Sequence, residues 1–92
     1  MNTVDFVVAE RKKELERHRV VVADGAVTAS TVDDRKPEVT FTLTPTDADA
    51  IKRGALDVSV AFMRGTMKMA GDSAVLFHVL PALSRAPSIL GS

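Results

Sequence analysis

The side chains best suited to chemistry are few and scattered. The chain has two histidines, His18 and His78, and no cysteine. His18 sits in the charged run "ERKKELERHR", while His78 follows Phe77 in an apolar stretch. A nucleophilic triad or a metal centre needs several such groups brought together, and no HxH, HExxH or GxSxG arrangement is present. Without cysteine, disulfides, thiol nucleophiles and thiolate zinc sites are excluded. Gly54, Gly65 and Gly71 are separated by whole elements and form neither GxGxxG nor GxxxxGK, so they punctuate structure and do not cradle a phosphate. These observations predict a protein with no catalytic activity, no metal and no cofactor.

What stands out instead is "AFMRGTMKMAGD", residues 61–72, which holds three of the four methionines beside Phe62. Methionine specifies a packed interior poorly but adapts to ligands of varied shape. An apolar ligand site is therefore expected to draw on Phe62, Met63, Met67 and Met69. Val75, Leu76, Val79, Leu80 and Leu83 complete it, since they recur at spacings of three and four as one face of a helix. The bland alternative is that all nine simply fill the core.

The elements that must position these residues can be read from periodicity. The 92 residues make one domain, residues 1–92, because a chain this short closes a single modest core. Val4, Phe6 and Val8 alternate along residues 2–10, which is a strand pattern. The charged run after them reads as a solvated connection or an exposed edge. Two β-branched runs then meet at Asp24-Gly25, a pair that supplies the positive φ angles of a tight hairpin. In "EVTFTLT", Val39, Phe41 and Leu43 share one face and threonines the other.

Thr44 can cap a helix that begins at Pro45 and stops at Gly54, and Asp57 can start a second short helix ending at Gly65. Thr66 to Ala70 is expected as a strand with Met67 and Met69 inward and Thr66 and Lys68 outward. Asp72 caps the last helix, in which Pro81 predicts a kink or an early end. The tail "APSILGS", residues 86–92, reads as loose. Strands first and helices gathered on one face of a sheet make this an α+β domain.

The bulk composition limits the partners. Twelve basic and twelve acidic residues cancel, so no long-range field draws nucleic acid or an anionic membrane. The four aromatics are all Phe, and stacking platforms interleaved with basic residues are missing. The opening apolar stretch is too short for a signal sequence or a membrane span, which predicts a cytoplasmic protein.

The order of residues from Val39 to Leu83, "VTFTLTPTDADAIKRGALDVSVAFMRGTMKMAGDSAVLFHVLPAL", resembles the sterol carrier protein 2 family of nonspecific lipid-transfer domains. The core "AFM-x-G-x-x-K-x-x-G-D" carries the resemblance. It implies a five-stranded, antiparallel-rich sheet with helices on one face and an apolar tunnel for fatty acid, fatty acyl-CoA or sterol. It also implies binding and transfer without covalent chemistry, with Lys68 at the family's basic strand position and facing solvent. Family members generally place a helix before the first strand, whereas this chain begins at or near that strand. A less fully walled cavity exposes apolar surface, from which a homodimer and transient membrane contact are expected. The alternative is an interaction or dimerisation subunit with a filled core that supports a partner enzyme of lipid or steroid metabolism.

Overall fold

The computed structural model describes residues 1–84, so the expectation for the tail lies outside the described residues. Five strands form one sheet: β1 (Asn2–Glu10), β2 (Lys13–Ala23), β3 (Ala26–Ser30), β4 (Val39–Leu43) and β5 (Lys68–Gly71). Their spatial order is β3-β2-β1-β4-β5. Every neighbouring pair is antiparallel except β1 with β4, which run parallel with Phe6 opposite Phe41. The helices are α1 (Pro45–Lys52), α2 (Val58–Met63) and α3 (Ser73–Ser84). The α+β architecture expected from the sequence is the one observed.

Local chemistry sets most of the boundaries. Asp24 and Gly25 take φ of 52° and 78° and close the β2–β3 hairpin. Thr44 Oγ1 accepts a hydrogen bond from the Asp47 N–H at 3.2 Å, and Pro45 occupies the first turn of α1, where a missing N–H costs nothing. Asp57 and Asp72 cap α2 and α3 by accepting from the N–H groups of Ser59 (2.7 Å) and Ala74 (2.8 Å).

Two expectations are corrected. The charged run is no connection: Arg11 and Lys12 alone turn the chain, at φ of 52° and 69°, and Lys13 onward is β2. The other expectation for the run, an exposed edge, holds for its strand part: β3 pairs only with Arg19–Ala23, so residues 13–18 are bonded to β1 alone. This part was hidden because its charges alternate with other charges, with Arg17 and Arg19 on one face and Glu16 and His18 on the other. The second correction concerns one of the two outcomes expected at Pro81, the early end: α3 does not stop there. The helix continues to Ser84 with Pro81 on its exposed side, where the ring displaces no core atom.

The core lies between the sheet and the helical layer. Val4, Phe6 and Val8 of β1, Val20 and Val22 of β2, and Val39, Phe41 and Leu43 of β4 supply the floor. Ile51 of α1, Val58 and Ala61 of α2, and Leu76, Val79 and Leu83 of α3 supply the cover.

The opposite face carries Asp5 and Arg19, both buried. Asp5 Oδ1 accepts from Arg19 Nε at 2.6 Å, and Asp5 Oδ2 accepts from Arg17 Nη1 at 2.5 Å. Arg19 also donates to Asp33 Oδ1 and to the Arg35 carbonyl, both at 2.8 Å. The segment joining β3 to β4 is thereby held against this face as it passes from one side of β2 and β1 to the other.

Candidate functional site

The expected ligand residues are brought together, with one exception. β5 pairs with β4 so that Met69 stands opposite Phe41 on the inner face. Met67, just ahead of the strand, donates its backbone N–H to the Ala61 carbonyl at 3.3 Å and is buried. Phe62 of α2 meets Phe41 edge-on at 6.3 Å between ring centres, and Phe41 stacks on Phe6 at 5.3 Å. From α3, Leu76, Val79 and Leu83 are buried, while Val75 and Leu80 pack partly buried against the same cluster. Met63 stands apart: it is 74% exposed, on the solvent side of α2. Lys68 is exposed, on the face opposite Met69.

The reason for the convergence is the sharp passage from β5 into α3. Gly71 has φ of 122°, and a Cβ there would collide with the Glu38 carbonyl oxygen. That carbonyl accepts from the Asp72 N–H at 3.0 Å, which anchors the start of α3 to the start of β4. The Glu38 carboxylate also accepts from the Thr3 N–H at 2.9 Å. Gly71 thus lets α3 fold back directly over the sheet, and its apolar stripe falls on Phe41 and its neighbours.

The space under α2 and α3 is occupied by these side chains: Phe6, Phe41, Met67 and Leu83 have almost no exposed surface. Open volume appears instead beside α1. One cleft of about 220 Å³ lies between α1 and the β1–β2 hairpin and involves Leu15, Glu16, His18 and Lys52. Another of about 220 Å³ lies on the opposite side of α1, near Leu56, Val58 and Leu83. Each is smaller than the roughly 300–1,000 Å³ usual for a small-molecule site. A shallower space of about 550 Å³ opens at the hairpin tip around Glu10, Arg11 and Lys13.

Titratable groups do not converge on the apolar set. His78 is exposed on α3, and His18 Nε2 lies 3.9 Å from Glu16 Oε1 at the other end of the sheet. Among the described residues, no group of three or more His, Cys, Asp or Glu is placed to hold a metal ion. No helix among them is long and apolar enough to cross a membrane. The perturbed carboxylates belong to the outer face. Burial pushes Asp5 up, but the hydrogen bonds and charges of Arg19 and Arg17 outweigh it and leave its pKa below the ordinary value. Asp33 is lowered by its hydrogen bonds from the Arg35 side chain and backbone.

Sequence reasoning missed both this ion network and the cleft beside α1. Asp5, set between Val4 and Phe6 in a strand, was the available signal for the first. His18 and Glu16, continuing the inward register of Val20 and Val22, were the signal for the second.

Comparison with known proteins agrees with the fold. The model of the SCP-2 sterol transfer family matches residues 2–84. None of the curated proteins matches the chain. Among solved structures, a conserved hypothetical protein from Thermus thermophilus is 17% identical with a TM-score of 0.70, covering 99% of this chain and 71% of that one. Sterol carrier protein 2 from Aedes aegypti, solved as a complex with palmitate, is 20% identical with a TM-score of 0.56, covering 91% and 74%. A stereoselective inverting sec-alkylsulfatase from a Pseudomonas species is 25% identical with a TM-score of 0.53. That match covers 99% of this chain but only 13% of the enzyme.

Proposed function

This chain belongs to the SCP-2 sterol transfer family, and from that premise we propose that it binds and carries a hydrophobic ligand, a fatty acid, fatty acyl-CoA or sterol, beneath α2 and α3 without chemically altering it. The observation that carries the reading is the concentration of Phe62, Met67 and Met69 where β5 and α2 meet α3. Soft, adaptable side chains stand where the helical layer closes on the sheet. The layer is held mainly by apolar contact, with one hydroxyl pair, Ser59 with Ser84, linking α2 to α3. A ligand chain can replace such contacts with its own.

Magnitudes follow from that exchange. Burying a methylene gains about 0.8 kcal/mol, so a dozen give about 10 kcal/mol gross. Association costs about 4–15 kcal/mol, and parting the packed interior adds to this. Affinity is then modest, and one methylene changes it only about fourfold. The carrier is promiscuous with respect to chain length.

The test is titration with a fluorescent fatty acid. Leu76→Asp and Met67→Asp should abolish uptake while Lys68→Ala leaves it within about twofold. Loss in all three, with collapse of the thermal transition, reports unfolding instead. Saturable uptake by none of the proteins, wild type included, overturns the reading.

The packed interior favours a second reading, an interaction or dimerisation subunit whose core is filled by its own side chains. The same fold forming 13% of a sec-alkylsulfatase fits such an accessory role. Exposed Met63 and Phe77 would then face the partner or a second copy. Native mass spectrometry separates the two: a carrier isolated from cells retains lipid mass, whereas a filled scaffold shows the mass of its polypeptide or of its oligomer.

A further inference from the structure

The helical layer is not tied down evenly. α3 buries Leu76, Val79, Ala82 and Leu83, and its start is anchored through the Asp72 N–H to the Glu38 carbonyl at 3.0 Å. α1 rests on β1. α2 spans six residues, buries only Val58 and Ala61, and packs chiefly on α3 rather than on the sheet. Its two ends also differ. At the C-terminal end the Ala61 carbonyl accepts from Thr66 Oγ1 at 3.2 Å and from the N–H groups of Thr66 and Met67, both at 3.3 Å. That ties the helix to the segment entering β5. At the N-terminal end the Asp57 carboxylate serves the helix's own Ser59 N–H, and the polar link to a neighbouring element is the hydroxyl pair of Ser59 and Ser84. The preceding chain is fixed to α1 only as far as Leu56, where the N–H groups of Ala55 and Leu56 donate to the Ala50 carbonyl at 2.8 and 3.1 Å. A helix held at one end by a hydroxyl pair and one apolar side chain opens locally at lower cost than its neighbours.

A cleft of about 220 Å³ lies at that loose end, lined by Leu56 and Asp57 and by Ile51, Val58, Leu83 and Ser84. Ile51, Val58 and Leu83 are core side chains, so the cleft ends on the interior. The interior itself is filled, and a cargo can enter only where its cover parts. We infer that α2 is a gate: it turns on its C-terminal end at Thr66 and Met67, the Ser59–Ser84 pair is its latch, and Val58 withdraws from beside Ile51 and Leu83 to make the cleft the portal for a hydrocarbon chain. This role presupposes the carrier function and adds which element moves and where the cargo passes. The lining suits such a chain, since Leu56, Ile51, Val58 and Leu83 are apolar and the Asp57 carboxylate is turned to the helix amides.

The chain has no cysteine, so introduced thiols report without background. In Val58→Cys the thiol should react with DTNB at least about tenfold faster than in Val79→Cys, whose site opens only with α3. Circular dichroism verifies that both variants are folded. Adding Ser59→Ala to Val58→Cys should speed the reaction about fivefold, the loss of one hydrogen bond. In Ser59→Cys with Ser84→Cys, oxidation joins α2 to α3 and should slow uptake of a fluorescent fatty acid at least about tenfold, with reduction restoring it. Equal reaction at 58 and 79, or reaction at 58 indifferent to Ser59→Ala, overturns the gate whatever the cargo and whether or not the disulfide forms. Equal uptake by the oxidised and reduced protein overturns the gate and leaves the carrier in place. Absence of uptake by the wild type removes the carrier function, and the gate with it.

Discussion

The two faces of the sheet are made from alternate residues of the same strands, yet they cohere by different physics. On the inner face Val4, Phe6 and Val8 meet Val20, Val22 and Phe41 in a hydrocarbon layer that depends on volume and shape. On the outer face Asp5, one residue from Val4 and Phe6, is as deeply buried but is held by directed bonds from Arg17 and Arg19. No buried side-chain polar atom among the described residues lacks a partner. The difference teaches that burial alone does not describe this sheet. The inner face tolerates exchange of one hydrocarbon for another of similar size, whereas the outer face tolerates loss of an ion only if its partner leaves too.

The largest effects expected test that contrast directly. Phe41→Ala removes a ring that touches both Phe6 and Phe62 and should cost about 3–5 kcal/mol in urea unfolding. Asp5→Ala should cost a similar amount, about 3–5 kcal/mol, because Arg19 is left charged and buried without its main partner. The double change Asp5→Leu with Arg19→Met should cost less than Asp5→Ala alone. If the double variant is instead less stable by the sum of both singles, the outer face is not a coupled ion network.

A pH series sharpens the same comparison at smaller amplitude. Asp5 and Asp33 both have pKa values below the ordinary carboxylate. The unfolded chain therefore binds protons at higher pH than the folded one. The stabilisation is complete above the unfolded carboxylate value, about 4, and is lost as pH falls through the lowered folded value. Urea midpoints measured from neutral to strongly acidic pH should drop in that acid window and stay flat above it. Asp5→Asn should start lower and fall less steeply. An identical slope would assign the acid sensitivity to other carboxylates.

How far the sequence disclosed this molecule follows the same division. Val39, Phe41 and Leu43 alternating with threonine announced β4 and its inward face, and Thr44-Pro45, Asp57 and Asp72 marked all three helix starts, because these are local physics. The convergence of Met67, Met69 and the α3 stripe was legible for the same reason, whereas Met63 shares their chemistry but lies on the outside of a six-residue helix. The parallel pairing of β1 with β4 was not legible, since it joins residues as distant as Val4 and Val39 in a register that alternation does not encode. The ion network depends on residues 33–35 returning over Arg19. Only the charged first half of β2 was obscured, by its charges and by a turn built from Arg11 and Lys12, which have no special tolerance for positive φ.

That turn supports the smallest prediction. Residues other than glycine, asparagine and aspartate pay about 1–2 kcal/mol for left-handed φ, and here two adjacent long side chains adopt it. The β2–β3 turn makes the same bend with Asp24 and Gly25, which are suited to it. Arg11→Asn with Lys12→Gly transplants that solution to the first hairpin. Part of the relief is offset because glycine also frees the unfolded chain, so the net gain should be about 1 kcal/mol or less, or up to about 4–8 °C in Tm for a domain of this size. Asp24→Arg with Gly25→Lys should shift Tm the other way. If the first exchange destabilises, the side chains of Arg11 and Lys12 make contacts that outweigh the backbone strain, and the hairpin tip is held by charge and not by its turn.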